Sequence, residues 1–159
     1  MKKKIIAYLI VIISGAIAGA LVVTLFLAPK MMLENESRYD FETTLTTVEQ
    51  SAKAAGWSIP TVHDLQKSME KAGKEVNQIK VYALCNPEYS IKILAGDEER
   101  IYSNMLPCRV SVYTKSDGKT YLSRLNIPRM TKGMLPEAKS AMKAAYKEME
   151  GILSGIVVD

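Results

Sequence analysis

The sequence is poor in the residues from which most active sites are built. Its 159 residues include one histidine, His63, and two cysteines, Cys85 and Cys108, with no Cys-x-x-Cys spacing. A Ser-His-Asp arrangement could draw only on His63, and no serine stands in a nucleophile-elbow pattern. No glycine-rich loop follows a strand pattern, so a phosphate cradle of that kind is missing. The carboxylates are scattered, and Asp97, Glu98 and Glu99 read most simply as a solvated turn. No basic block interleaves with aromatics, which removes the electrostatic footprint of a nucleic-acid binder. Three of the 21 basic residues are Lys2, Lys3 and Lys4, and the rest nearly balance the 17 acidic ones. There is no internal repeat and no low-complexity tract. These absences argue against hydrolysis and phosphoryl transfer, exclude nucleic acid as the natural partner, and identify no cofactor.

What the sequence does contain begins with an apolar run. Ile5 to Ala28 carries no charged side chain and follows Lys2, Lys3 and Lys4. A helix of this length crosses a hydrocarbon core of about 30 Å. The three lysines hold the short end in the cytoplasm. The expectation is a single-pass anchor in the cell (inner) membrane, contacting lipid from Ile5 to Ala28, with an extracytoplasmic domain in the periplasm or outside the cell. A cleaved signal peptide would have a shorter apolar core and a small-x-small site, which Leu25 to Ala28 does not offer. A lipoprotein would need a cysteine in this segment. Gly15 and Gly19 form a small-xxx-small strip that lets two helices approach, so a homodimer is one expectation.

Pro29 to Glu36 reads as a linker, and 37–159 as one domain long enough to bury a core without staples. A first strand is expected near Ser37 to Phe41. Leu45, Val48, Ala52 and Ala55 then recur at helical spacing, with Thr43 or Thr44 as cap and Gly56 as stop. "WSIPTVH" reads as a strand that Pro60 confines to an edge or a bulge. "DLQKSMEKAG" reads as a helix capped by Asp64 and closed by Gly73. In "QIKVYALC", Ile79, Val81, Ala83 and Cys85 alternate with Tyr82 and Leu84. Asn86 is a good N-cap, and Pro87 suits the first helical position, where its missing donor costs nothing. "CRVSVY" and "TYLSRLN" flank an Asp-Gly hairpin signal. A last helix starts at Pro136, with Leu135, Ala138, Met142, Ala145, Met149 and Ile152 as its apolar stripe. The order β-α-β-α-β-α-β-β-α predicts an α+β sandwich with a mixed or antiparallel sheet, preceded by one transmembrane helix.

Several of these residues together resemble the domain of unknown function 302 family across nearly the whole of the domain. The resemblance rests on Gly56-Trp57 after the first helix, Asp64 after a short strand, the Cys85-Asn86-Pro87 turn, and Leu106-Pro107-Cys108 at a strand start. Two places depart from the family pattern. His63 stands where an apolar residue is expected, and "IPRMTKGML" is basic where relatives often carry acidic residues. The resemblance implies a compact α+β fold, possibly dimeric, and no chemistry.

Cys85, Asn86, Pro87, Cys108 and His63 make up the candidate ligand or redox site, and no catalytic residue is assigned. Alternation places both sulfurs on one side of the sheet, so contact between Cys85 and Cys108 is expected. Three readings stay open: two inert packing residues, a structural disulfide, or a working site. The last covers a redox thiol, a sulfur carrier, and a metal or haem ligand. Its warrant is the helix dipole at Asn86-Pro87, which stabilises a nearby thiolate. For a metal, Cys85, Cys108 and His63 are the most the chain can offer, and the expectation is none. Two function classes follow. The first is a non-enzymatic binding or interaction module for a small ligand of unspecified chemistry. The alternative is a thiol-dependent redox or sulfur-handling protein.

Overall fold

The computed structural model describes residue 4, residues 12–19 and residues 31–158. It divides into two units, Met1–Lys30 and Met31–Asp159. In the first, 12–19 is helical. Lys2, Lys3 and most of Ile5 to Ala28 lie outside the described residues. Among the described residues no helix is long and apolar enough to cross a membrane.

The second unit is an α+β domain built on five antiparallel strands: β1 (Met32–Glu36), β2 (Ser58–Asp64), β3 (Ile79–Cys85), β4 (Cys108–Thr114) and β5 (Thr120–Leu125), in the spatial order β1-β5-β4-β3-β2. Its helices are α1 (Phe41–Ala54), α2 (Leu65–Lys71), α3 (Pro87–Leu94), α4 (Ile127–Met130) and α5 (Pro136–Leu153), with a 3₁₀ turn at Glu99–Met105.

Local chemistry explains most of the boundaries. Asp40 caps α1, accepting from the Thr43 N–H at 2.8 Å, so the cap precedes the expected threonines. Asp64 caps α2 in the same way through Lys67. Gly56 and Gly73 end their helices with φ of +77° and +69°, a conformation that favours glycine. Pro60 sits in edge strand β2, where the register shifts between Ser58 and Thr61.

One expectation needs correction, and two short elements have no counterpart in the sequence reading. The first strand is Met32–Glu36, inside the stretch read as a linker, and not Ser37 to Phe41. Its polar sequence hid it, because an edge strand paired only with β5 need not be apolar. The sheet is wholly antiparallel, one of the two arrangements expected. The 3₁₀ turn and α4 had no periodic signal because they are too short to show one.

The core lies on one face of the sheet. Tyr82, Leu84, Cys108, Val110, Val112 and Leu122 pack there against Phe41, Leu45 and Val48 of α1 and Ala145, Met149 and Ile152 of α5. A smaller cluster joins Ile93, Ile127, Ala138, Ala141 and Met142.

Candidate functional site

Antiparallel pairing decides where the cysteines go. Leu84 of β3 lies directly opposite Cys108 of β4, and both are buried in the core. Cys85 is the next residue along and falls out of phase with them. The expected common face for Cys85 and Cys108 is therefore wrong by one position of register, which is enough to invert a strand's sides. Both cysteines are free, so of the three readings left open the structural disulfide is not supported.

The two thiols nonetheless sit at the same end of the sheet. Cys85 Sγ is 3.5 Å from Ser90 Oγ, and that hydroxyl donates to the Asn86 carbonyl at 3.1 Å. Ser58 Oγ donates to the Cys85 carbonyl at 3.0 Å, tying β2 to the turn. Asn86 caps α3 as expected, accepting from the Glu88 N–H at 3.0 Å, with Pro87 in the first turn. Burial pushes the Cys108 thiol up to about 11, helped by the neighbouring Cys85. At neutral pH only about one Cys108 in ten thousand would then be thiolate, which is the opposite of an activated nucleophile.

Between α3, the Leu106–Pro107 segment and Cys108 lies a cavity of about 10 Å³, room for one water-sized molecule. Trp57, Asn86, Tyr89, Ser90 and Cys108 are among its lining residues. The Leu106–Pro107 peptide is cis. Trp57 is 3% exposed, and among the described residues its indole N–H has no hydrogen-bond partner. The Trp57 and Tyr89 rings lie 6.1 Å apart, tilted by 43°. Asn86, Ser90, Leu106 and Pro107 are half-buried, so this cavity lies just under the surface. On the other side of Cys108 a second small cavity is lined by Met105, Leu125, Ile127 and Met149. Wider depressions beside Gln66 and Glu70, and beside Ala54 and Gly151, lie open to solvent and away from the cysteines.

His63 does not join this site. It is exposed and pairs with Val81, whereas Cys85 pairs with Ser58 at the opposite end of β2. A Cys85-Cys108-His63 ligand set is thus not assembled, and among the described residues no three of His, Cys, Asp and Glu come together to hold a metal. The structure brings Cys85, Asn86, Pro87 and Cys108 to one end of the sheet and adds Trp57, Tyr89 and Ser90. Ser90 could have been found in the sequence, since it stands four residues after the cap Asn86, one turn up the helix. Nothing local pointed to the orphaned indole of Trp57.

The model for the domain of unknown function DUF302 matches residues 33–156. An uncharacterized protein of Aquifex aeolicus (strain VF5) is 31% identical over 85 residues, which cover 46% of this chain and 58% of that protein. A crystal structure of an uncharacterized conserved DUF302 protein from Bacillus stearothermophilus superposes with a TM-score of 0.71 at 17% identity, covering 80% of this chain and 98% of the other. That likeness shows the five-stranded α+β fold alone. With the family model spanning nearly all of Met31–Asp159, the chain belongs to the DUF302 family.

Proposed function

We propose that this chain is a membrane-tethered, extracytoplasmic binding module that takes one oxygen of a small ligand into the water-sized cavity between α3, Trp57 and Cys108, the rest of the ligand lying outside it, without catalysing a reaction. The observation that carries the reading is Trp57, which lines the cavity and whose buried indole N–H has no acceptor among the described residues. An unmade hydrogen bond of this kind costs about 1–3 kcal/mol, and a ligand or water oxygen in the cleft recovers it. The apolar run Ile5 to Ala28 after three lysines supports the tether and its direction. The raised Cys108 thiol weighs against the thiol-dependent alternative.

The single tryptophan makes the test direct. The full chain in lipid nanodiscs is titrated with acetate, acetamide and dimethyl sulfoxide, and the indole ¹⁵N–¹H resonance is followed. A saturable shift of the indole proton supports the cleft. No shift with any of the three overturns it. Thiol counting with a disulfide reagent at neutral pH separates the alternative. The binding module leaves Cys108 unreactive until the domain unfolds, whereas rapid reaction of Cys108 in the folded chain favours thiol chemistry. Alkaline carbonate washing tests the tether: release of the chain from membranes removes it.

A further inference from the structure

The side chains around the Trp57 cavity have a one-sided chemistry. The Trp57 indole can only donate, and it is buried without an acceptor among the described residues. Asn86, also in the lining, spends its side-chain oxygen on the Glu88 N–H. Its amide nitrogen meets no acceptor among the described residues. Ser90 points its hydroxyl hydrogen at the Asn86 carbonyl, 3.1 Å away. Cys108 keeps its proton at neutral pH, because burial raises the thiol, so it brings a weak donor and no charge. Leu84, Leu106, Pro107 and Ala145 add apolar side chains.

No charged side chain lines the cavity. The first turn of α3 has little left for an anion. Pro87 has no N–H, the Glu88 N–H is taken by Asn86, and the Tyr89 and Ser90 N–H groups donate to the Asn86 carbonyl at 3.3 and 3.2 Å. Glu88 already stands at the positive end of the helix dipole. The Tyr89 hydroxyl bonds Glu148, which brings a second carboxylate close to the lining. Basic side chains on the same elements turn elsewhere. Arg109 follows Cys108 along β4 and so stands on the other side of the sheet. Lys92 lines a separate depression with Glu99 and Glu137.

We infer that the ligand oxygen taken by the Trp57 and Asn86 donors is uncharged, a carbonyl-type oxygen such as that of an amide, and that the cavity discriminates against carboxylates. The inference rests on the binding reading proposed above and narrows it. A carboxylate entering here would leave water without meeting a cation, and neutral donors alone do not offset that loss. A carbonyl oxygen carries two lone pairs, one for each donor, and gives up far less hydration.

Acetate and acetamide have nearly the same shape and differ in charge, so they test the inference directly. Each is titrated into the full chain in nanodiscs, with sodium chloride holding the ionic strength equal, and the Trp57 indole resonance is followed. Acetamide and dimethyl sulfoxide are expected to saturate at concentrations about tenfold or more below acetate. Acetate binding as tightly as acetamide overturns the inference and leaves the binding reading standing. No shift with any of the three defeats the binding reading itself, and the inference with it. Asn86→Asp tests the second donor. Aspartate keeps the cap on the Glu88 N–H and replaces the amide nitrogen by an oxygen, so acetamide affinity, read from the same resonance, is expected to fall about tenfold. Unchanged affinity overturns the part given to Asn86. The comparison of acetate with acetamide uses the unaltered chain, so it decides the charge of the ligand oxygen even if the variant does not fold.

Discussion

The two faces of the sheet solve the same problem with different chemistry. The face under α1 and α5 carries Tyr82, Leu84, Val110, Val112 and Leu122, all at or near complete burial. The opposite face carries Val81, Ser111, Tyr113, Tyr121 and Ser123, all half-buried, and α2 buries no residue of its own. Tyr113 and Tyr121 pair across β4 and β5, with ring centroids 6.3 Å apart. The Tyr113 hydroxyl donates to Glu34, and the Lys115 Nζ sits 3.9 Å from the centroid of the Tyr121 ring. Stability resides in area removed from water on the first face and in exposed, solvent-screened contacts on the second. The difference teaches that a substitution should be judged by the face it occupies before its residue type.

The sharpest way to break that comparison is a matched pair of truncations on β3. Leu84→Ala removes a fully buried side chain and is expected to cost about 2–5 kcal/mol, read from urea unfolding. Val81→Ala on the half-buried face is expected to cost about 1 kcal/mol or less. Equal losses would mean that the second face is covered in solution, and concentration-dependent melting would then identify a second copy as its cover. A charged pair on each face sharpens the contrast further. Arg124 is buried on the α5 side, holding Glu150 through two contacts of 2.6 Å and Asn35 through one of 2.8 Å. Arg124→Met strands both partners and is expected to cost about 3 kcal/mol, close to the lower limit for broken buried pairs because Glu150 keeps partial access to water.

How much of this was legible depended on whether the signal was local. Caps and stops were readable, because Asp64, Gly56, Asn86 and Pro87 each satisfy or spare a nearby backbone group. The stripe of α5 was readable for the same reason, as Ala138, Met142, Ala145, Met149 and Ile152 recur at the helical period. The register of β3 against β4 was not, because it is set by which face the helices cover, a fact that no stretch of β3 or β4 contains. That one missing fact put Cys85 on the side of Cys108. His63 failed similarly. Its neighbour Asp64 was correctly read as a cap, but the antiparallel return of β3 carries Cys85 to the other end of β2. Polar β1 was missed because pairing, and not hydrophobicity, makes it a strand.

Alkaline pH probes the buried face through its acids. Burial holds Cys108 at about 11 from an ordinary value of 9.0, so the folded state keeps a proton that the unfolded chain gives up. Stability from this group is complete below pH 9 and is lost as pH rises through 11, by roughly 2–3 kcal/mol in all. Tyr113, raised to about 12 by partial burial and by Glu34, extends the decline to higher pH. Thermal melts between pH 8 and 11 should fall steeply for the unaltered chain and less steeply for Cys108→Ala. A Cys108→Ala chain with an unchanged slope would show that the thiol is not desolvated in the folded protein.

The smallest effect belongs to the exposed face and completes the comparison with Arg124. Lys119 Nζ meets Glu36 at 2.9 Å, a distance close to that of the buried pair, but the two side chains are 55% and 36% exposed. Water at both ends screens the attraction, and holding two long side chains in one geometry costs rotamer entropy, so the pair is worth about 0–1 kcal/mol. Lys119→Ala should therefore shift the urea midpoint slightly or not at all, and added salt should erase even that. The neighbouring Asp117-Gly118 turn provides an internal control. Asp117 accepts from the Lys119 backbone N–H at 2.9 Å, a bond that the alanine retains, so the turn that sets the β4–β5 register stays intact. A loss approaching that of Arg124→Met would mean that Lys119 and Glu36 are desolvated in the native assembly. Distance would then be a better guide than exposure on this sheet, and the distinction between its faces would not hold.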